Sequence, residues 1–264
     1  MIAISDLQVT FNKGTPLETP ALRGINLSLT EGQFLTIIGS NGAGKSTFLN
    51  AVAGDIPVGG GHIIVAGQDI TAWPTHRRAQ LISRVFQDPL GGTCEALSII
   101  ENFALAHGRS RPRKFRFAID RGLRALARER LAMLGLGLEN RLEDQVGRLS
   151  GGQRQALSLL MATTGETKLL LLDEHTAALD PATADFVMGL TTQVVERLKV
   201  TTIMVTHSMR QALDYGQRTL MFHRGRVVFD VEGEERKALG VEDLLRLFKR
   251  KEGEELADDA LLLA

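Results

Sequence analysis

Residues 39–47, Gly39-Ser40-Asn41-Gly42-Ala43-Gly44-Lys45-Ser46-Thr47, follow directly on the apolar run Phe34 to Ile38 and carry the pattern G-x-x-x-x-G-K-[ST]. Glycines free to take positive φ let several backbone N–H groups converge on one anion, and a helix opening near Lys45 adds its positive end. The pattern therefore demands a buried strand before it and an amphipathic helix after it, which Phe34 to Ile38 and then Phe48, Leu49 and Val52 supply. Lys45 is expected to reach the β- and γ-phosphates of a nucleoside triphosphate, Ser46 to ligate Mg²⁺, and Thr47 to add a second hydroxyl. The alternative is a glycine-rich turn with no ligand; glycine usage alone gives the full pattern by chance in a chain of this length on the order of one time in a hundred.

A chain of 264 residues, 44% hydrophobic and 23% charged, buries the core of one large domain or two small ones and has no composition of disorder. Its 31 basic residues balance 31 acidic ones, so whole-chain charge gives no support for a nucleic-acid or membrane surface, and any such contact is local. The one cysteine, Cys94, excludes an intramolecular disulfide framework and fits a reducing compartment; it reads as a small structural hydrophobe. Met1-Ile2-Ala3-Ile4-Ser5-Asp6 lacks the charged and apolar regions of a signal peptide, and no run approaches the roughly 18 apolar residues of a membrane span. The expectation is a cytoplasmic chain whose membrane role is borrowed from a partner.

Leu7, Val9 and Phe11 alternate with polar neighbours, as do Ile25, Leu27 and Leu29, which predicts two half-buried strands before the glycine pattern. Further strands are expected at His62 to Val65 and Ile82 to Phe86. From Leu90 to about Thr163 strand patterning gives way to helical spacing, through Leu123, Leu126, Leu131 and Leu134 and again through Leu157, Leu160 and Met161. This block holds nine basic residues between 109 and 130 (Arg109, Arg111, Arg113, Lys114, Arg116, Arg121, Arg124, Arg128, Arg130), a solvated face or a docking surface for a membrane protein or anionic leaflet. Strands return at Leu169 to Leu172 and Thr202 to Thr206 with a helix near Phe186 to Leu198 between them, the order that implies right-handed crossovers and a parallel sheet. Leu220 to Phe222 and Arg226 to Phe229, joined through Gly225, read as a closing hairpin, and Leu244, Leu245, Leu247 and Phe248 as a short amphipathic helix.

Leu171-Leu172-Asp173-Glu174 ends a buried strand with two adjacent carboxylates, at the sheet edge where ligands gather in parallel α/β folds. Asp173 is expected to hold Mg²⁺ and Glu174 to polarise the attacking water. Successive strand side chains point opposite ways, so both can serve only if the strand ends there. The alternative is an acidic helix start with no catalytic part.

Leu149-Ser150-Gly151-Gly152-Gln153-Arg154-Gln155 resembles the signature of ATP-binding cassette proteins, although a bare Ser-Gly-Gly also suits a loop and helix N-cap. One hydroxyl, two unhindered N–H groups and a helix N-terminus fit a γ-phosphate. The resemblance extends over residues 1 to about 230. It implies that Ser150, Gly151, Gly152 and Gln153 reach the nucleotide held by a second copy, so that two chains sandwich two ATP molecules head to tail. Val85-Phe86-Gln87-Asp88-Pro89 resembles the Q-loop, with Gln87 sensing Mg²⁺ or the attacking water; Ala178-Leu179-Asp180 resembles the D-loop; Val205-Thr206-His207 resembles the switch segment, with His207 on the γ-phosphate and holding Glu174 and water in line. Phe11 is the match to the aromatic that stacks on adenine, or else continues the core alternation. His175 departs from the family, which usually has proline there, and reads as a local cap or hydrogen-bonding group outside the site.

The resulting expectation is an α/β P-loop NTPase of RecA-like type: a parallel-sheet core (1–89 and 164–230), an N-terminal antiparallel β subdomain, an inserted α-helical signature subdomain (about 90–163) and a short helical tail (231–264). The resemblance implies an ATPase, working with ATP and Mg²⁺ as a homodimer on separate membrane permeases, peripheral on the inner face of the cell membrane, with a solute-binding protein as indirect partner and no nucleic acid. Free-standing format suggests an importer, and the Gly14-Thr15 loop with Glu174-His175-Thr176 an amino-acid-like solute. A soluble cluster-assembly ATPase is the runner-up; coiled-coil maintenance heads need heptads that are missing here, related translation factors carry two cassettes, and a regulator without turnover fits poorly with Glu174 and His207 both present.

Overall fold

The computed structural model describes residues 1–109 and 118–249. Alternation around Leu7 and Val9 folds as β1 (Ile2–Phe11), antiparallel to β2 (Thr19–Leu29). The apolar run before the glycine pattern becomes β3 (Phe34–Gly39), and α1 (Lys45–Ala53) leaves the turn. Next come β4 (Gly60–Val65), β5 (Gln68–Asp69), the one-turn α2 (Thr75–Arg78) and β6 (Ile82–Val85). The helical block holds a 3₁₀ turn at Pro89–Gly92, then α3 (Ile99–Gly108), α4 (Arg121–Ala132) and α5 (Gly151–Ala162). Crossovers resume with β7 (Leu169–Asp173), α6 (Pro181–Leu198), β8 (Thr201–Val205) and α7 (Met209–Asp214), and β9 (Arg218–His223), β10 (Arg226–Glu232) and α8 (Gly233–Lys237) follow. Residues 241–249 are helical.

Two sheets result. A small antiparallel one has the order β2-β1-β4-β5, and a large one the order β10-β9-β3-β8-β7-β6, parallel except for β10 at its edge. β3, β7 and β8 are buried along almost their whole length because both faces of the large sheet are covered. Period-two alternation assigns the faces. Leu169 and Leu171 join Phe48, Leu49 and the small sheet in one core, whereas Leu170 and Leu172 pack with Met188, Val194 and Val195 of α6. The helical block has a core of its own around Ile99, Phe103, Leu131 and Leu157. Register then fixes the working edge: Ile37 lies opposite Val205, and Val205 opposite Asp173. Three parallel strands therefore end level, and the turns after Gly39, Asp173 and Val205 all leave the same edge of the sheet.

The predicted hairpin forms through Arg224-Gly225, whose φ values of 43° and 77° are the two positive values that a type I′ turn needs. Leu244 of the tail helix is buried against Ile38, Ala212 and Met221. Cys94 departs from its expected role: its thiol is exposed, and it is the backbone N–H and carbonyl of the residue that Asn102 holds, at 2.8 and 2.9 Å. Of the basic stretch, Arg111, Arg113, Lys114 and Arg116 lie outside the described residues, as does the tail beyond 249. Arg109 is structural, its guanidinium donating to Ser83 and to the carbonyls of Ala162 and Thr164. Arg124 pairs with Glu143 on the surface. Among the described residues no helix is long and apolar enough to cross a membrane.

Candidate functional site

Two glycines of the turn after β3 are fixed by close approach. A Cβ on Gly39 would sit 2.3 Å from the Phe222 carbonyl oxygen and one on Gly44 2.8 Å from that of Ala21, both at positive φ. The chain can pass between β9 and β2 only without side chains there. Gly44 is also the N-cap of α1, and no side chain caps that helix. The first N–H groups of α1 are thus left for an outside acceptor, and a helix start with this geometry attracts anions. Lys45, 5% exposed, curls back so that Nζ donates to the carbonyls of Gly39 (2.8 Å) and Ser40 (2.9 Å). Burial lowers its pKa, while the charges of Glu174 and Asp173 pull it back up. A buried ammonium satisfied by carbonyls alone, beside uncapped amides, is a cradle suited to phosphate.

The turn after β7 supplies the acids. Glu174 takes φ 48°, the left-handed region that non-glycine residues avoid, so the strand's alternation is broken between Asp173 and Glu174. Its N–H donates to the Val205 carbonyl at 3.0 Å, tying the turn to the end of β8. The Glu174 carboxylate, 13% exposed, meets His207 Nε2 at 2.6 Å. Asp173 turns instead to Arg84, whose Nη2 lies 2.5 Å from Oδ2. His175 is not a local cap: it is fully buried, its Nε2 lies 3.0 Å from Thr191 Oγ1 on α6, and burial pushes its pKa down to about 4, so the ring is neutral. Behind His207, Thr206 Oγ1 donates to Gln211, whose amide reaches Thr176 Oγ1 at 3.4 Å, so the two turns share a side-chain link.

Glu174, His207, Phe11 and the stretch Asn41 to Thr47 line one open cleft of about 520 Å³, the size of a small-molecule site. Phe11 is 41% exposed there, which rules out its core alternative; a register shift between Val9 and Thr10 ends the alternation one residue early. Arg23 and Arg224 also line the cleft and were not marked by the sequence, since each is isolated in the chain and brought in by β2 and by the β9–β10 turn. Gln87, Asp173, Asp180 and Ser150 to Gln153 do not line it.

Ser150 and Gln153 occupy a second patch. They form a capping box on α5, Gln153 N–H to Ser150 Oγ at 3.3 Å and Ser150 N–H to Gln153 Oε1 at 3.2 Å. A Cβ on Gly152 would lie 2.4 Å from Thr183 Cγ2, and one on Gly151 3.3 Å from Leu179 Cδ2. The Ser-Gly-Gly turn thus sits on the start of α6, where Asp180 accepts from the Thr183 N–H at 3.1 Å; hydrogen bonds from Thr183 hold its carboxyl below the usual range. The structure accordingly divides most of the expected site residues between a cleft and a patch, with Gln87 and Asp173 lining neither.

For a divalent cation the donors present are hard oxygens, the Ser46 hydroxyl at the start of α1 and the Asp173 carboxylate at the end of β7, with the Gln87 amide after β6. Among the described residues no three His, Cys, Asp or Glu side chains gather, and such a small protein share suits Mg²⁺, which keeps waters and takes substrate phosphates as ligands.

The family model described as ABC transporter matches residues 22–177. A tyrosine transport ATP-binding protein of Clostridioides difficile is 40% identical over 94% of this chain and 99% of its own length. A thiamine import ATP-binding protein of Shigella flexneri is 32% identical over 80% of this chain and 85% of its own. Among solved structures, a dimeric ATP-binding cassette in a post-hydrolysis state bound to ADP and Pi superimposes with a TM-score of 0.74 at 27% identity, covering 88% of this chain and 98% of that one. The glycine turn and the acid pair fall within the matched residues 22–177, and the chain belongs to the ABC transporter family as an ATPase subunit of a transport system.

Proposed function

We propose that the cleft binds Mg·ATP and hydrolyses it between two copies of the chain, and that the cycle drives import of an amino-acid-like solute through a separate permease. The observation that carries the reading is the Glu174–His207 contact of 2.6 Å beside Lys45 and the uncapped start of α1, while Ser150 and Asp180 sit on another patch. In this reading the turn Gly39 to Thr47 grips the β- and γ-phosphates, Lys45 releasing its loop carbonyls for phosphate oxygens, and Phe11 stacks on the base. Ser46, Asp173 and Gln87 would hold Mg²⁺, which when bound neutralises phosphate charge. Glu174 polarises a water that attacks the γ-phosphorus as its bond to the bridging oxygen breaks, giving ADP and phosphate. His207, 48% exposed at the mouth of the cleft, orients Glu174 and meets the γ-phosphate. Ser150, Gly151, Gly152 and Gln153 of the second copy close over the same phosphate, and Asp180 lies along the contact.

The permease would feel closure through residues 88–105, including Glu101 and Asn102, with the chain at the inner face of the membrane. Importer names among the relatives support the direction, and the tyrosine transport relative supports the solute class, with a solute-binding protein as indirect partner. Glu174→Gln is expected to lower the phosphate-release rate about 10²–10⁴-fold with nucleotide affinity kept within a few-fold, trapping an ATP-bound dimer. Undiminished release removes Glu174 from the role. Affinity capture from detergent-solubilised cells separates the transport reading, which requires a polytopic permease, from a soluble cluster-assembly role, which requires a scaffold.

A further inference from the structure

Arg84 has no part in the scheme above, yet its surroundings are built rather than incidental. It lies on β6 opposite Leu171 in parallel register, and its side chain is only 13% exposed. One guanidinium serves three oxygens: Asp173 Oδ2 at 2.5 Å, Asn50 Oδ1 at 2.7 Å and Asp55 Oδ2 at 3.0 Å. Its Cζ lies over the Phe86 ring, 4.8 Å from the ring centre, and Nε is buried without a hydrogen-bond partner. A fork whose nitrogens reach several oxygens while its centre lies over an aromatic ring is arginine chemistry, which a lysine ammonium cannot reproduce in full. Holding Oδ2 leaves Asp173 in one orientation with its other oxygen free.

Arg84 also lines a second cleft, between the core and the helical block, together with Thr93, Cys94 and Leu105. The Pro89–Gly92 turn at that cleft has no slack. A Cβ on Gly91 would lie 3.3 Å from Phe86 Cγ, and one on Gly92 2.5 Å from Ser158 Oγ. The Phe86 carbonyl is held by Gln155 Nε2 at 3.1 Å. Whatever shifts the turn pushes on the Phe86 ring, and the ring carries Arg84.

We propose that Arg84 is a positioning residue of the hydrolysis reaction, whose guanidinium fixes the Asp173 carboxylate and ties its placement, through the Phe86 ring, to the cleft beside the helical block. The inference rests on the role proposed above for the Asp173–Glu174 pair. By linkage, a change at the cleft that alters Asp173 must be matched by a change at the cleft when nucleotide binds. Cys94 is the chain's one cysteine and is exposed at that cleft, so an environment-sensitive maleimide reports from this place alone.

The test compares the full-length wild type with Arg84→Gln, Arg84→Lys and Asp55→Asn, each labelled at Cys94. Arg84→Gln is expected to lower kcat about 10- to 100-fold with KM for Mg·ATP within about three-fold, and to abolish the emission change that Mg·ATP causes in the wild type. Arg84→Lys should recover part of both, and Asp55→Asn, which removes an exposed carboxylate from the same guanidinium, should match the wild type. Wild-type kcat in Arg84→Gln, an emission change that survives in it, or an equal loss in Asp55→Asn overturns the proposal. If Arg84→Gln does not fold, Arg84→Lys decides on the same readouts, and unaltered values there overturn it. Glu174→Gln keeps the two levels apart: retained turnover in that variant sinks the hydrolysis reading itself, whereas lost turnover there beside wild-type turnover in Arg84→Gln sinks only the inference.

Discussion

Both α1 and α5 open with a glycine-bearing turn, and the two starts are finished in opposite ways. At α1 the N-cap is Gly44, no side chain caps the helix, and the nearest cation is bent back onto the loop's own carbonyls. At α5 a reciprocal capping box between Ser150 and Gln153 satisfies the N–H groups of those two residues from within and leaves only those of Gly151 and Gly152 between them. An uncapped start leaves donors that only a ligand can use, so it holds an anion alone; a capped start is stable by itself and gives a ligand less. In the reading proposed above, the difference assigns to the uncapped half the nucleotide held by a single copy, and to the capped half a contact added only when another copy brings its own.

The strongest way to break that comparison is Lys45→Ala. Loss of a buried, charge-assisted partner for phosphate should weaken ATP binding to the isolated chain by about two orders of magnitude, on the order of 3 kcal/mol, with the fold retained. Equilibrium binding of a fluorescent ATP analogue reads this directly. Ser150→Arg should leave that binding within about two-fold while preventing the ATP-dependent dimer, read by size-exclusion chromatography of the Glu174→Gln background. A large loss of monomer affinity in Ser150→Arg would show that the two starts act within one copy.

The acid pair tests what secures the strained side of the comparison. Glu174 sits at positive φ, and the residue after it is pinned to α6 by the His175–Thr191 hydrogen bond, wholly inside the protein. Thr191→Val keeps the shape and removes the oxygen, leaving a buried imidazole nitrogen without its partner. The expected loss is about 1–3 kcal/mol, seen as a lowered melting temperature. Unchanged thermal stability would mean that the left-handed turn is held by its other contacts, to Val205, His207 and Gln211, without help from the buried pair.

Much of this was legible because it depends on local pattern. The glycine turn, the strand ending at Asp173-Glu174 and the Arg224-Gly225 hairpin are each written in a few adjacent residues whose backbone requirements are strict. What stayed hidden depends on distance in the chain. Arg84 meets Asp173 across 89 positions, and His175 meets Thr191 through a helix whose facing is set by packing, so neither partner can be read from spacing. Phe11 was ambiguous, and Cys94 was wrongly read as a structural hydrophobe, for a related reason: a register shift in β1 sets the exposure of the one, the other is anchored through its backbone by Asn102, and both are tertiary events.

The smallest expected effect is also the most discriminating for the two helix starts. Ser150→Ala removes the hydroxyl that accepts from the Gln153 N–H but adds no bulk, so it tests the cap without blocking the patch. If the box is worth what such caps usually are, the chain loses about 1 kcal/mol of stability, readable from chemical denaturation, and ATP binding to the single copy is unchanged. The ATP-dependent dimer should weaken as well, because the same hydroxyl is proposed to face the γ-phosphate of the opposite nucleotide. A stability loss with an unweakened dimer would assign Ser150 to the helix alone and leave the partner's nucleotide to Gly151, Gly152 and the amides of α5. A weakened dimer at full stability would mean that the cap is already open in the folded chain, and that α5, like α1, waits for phosphate.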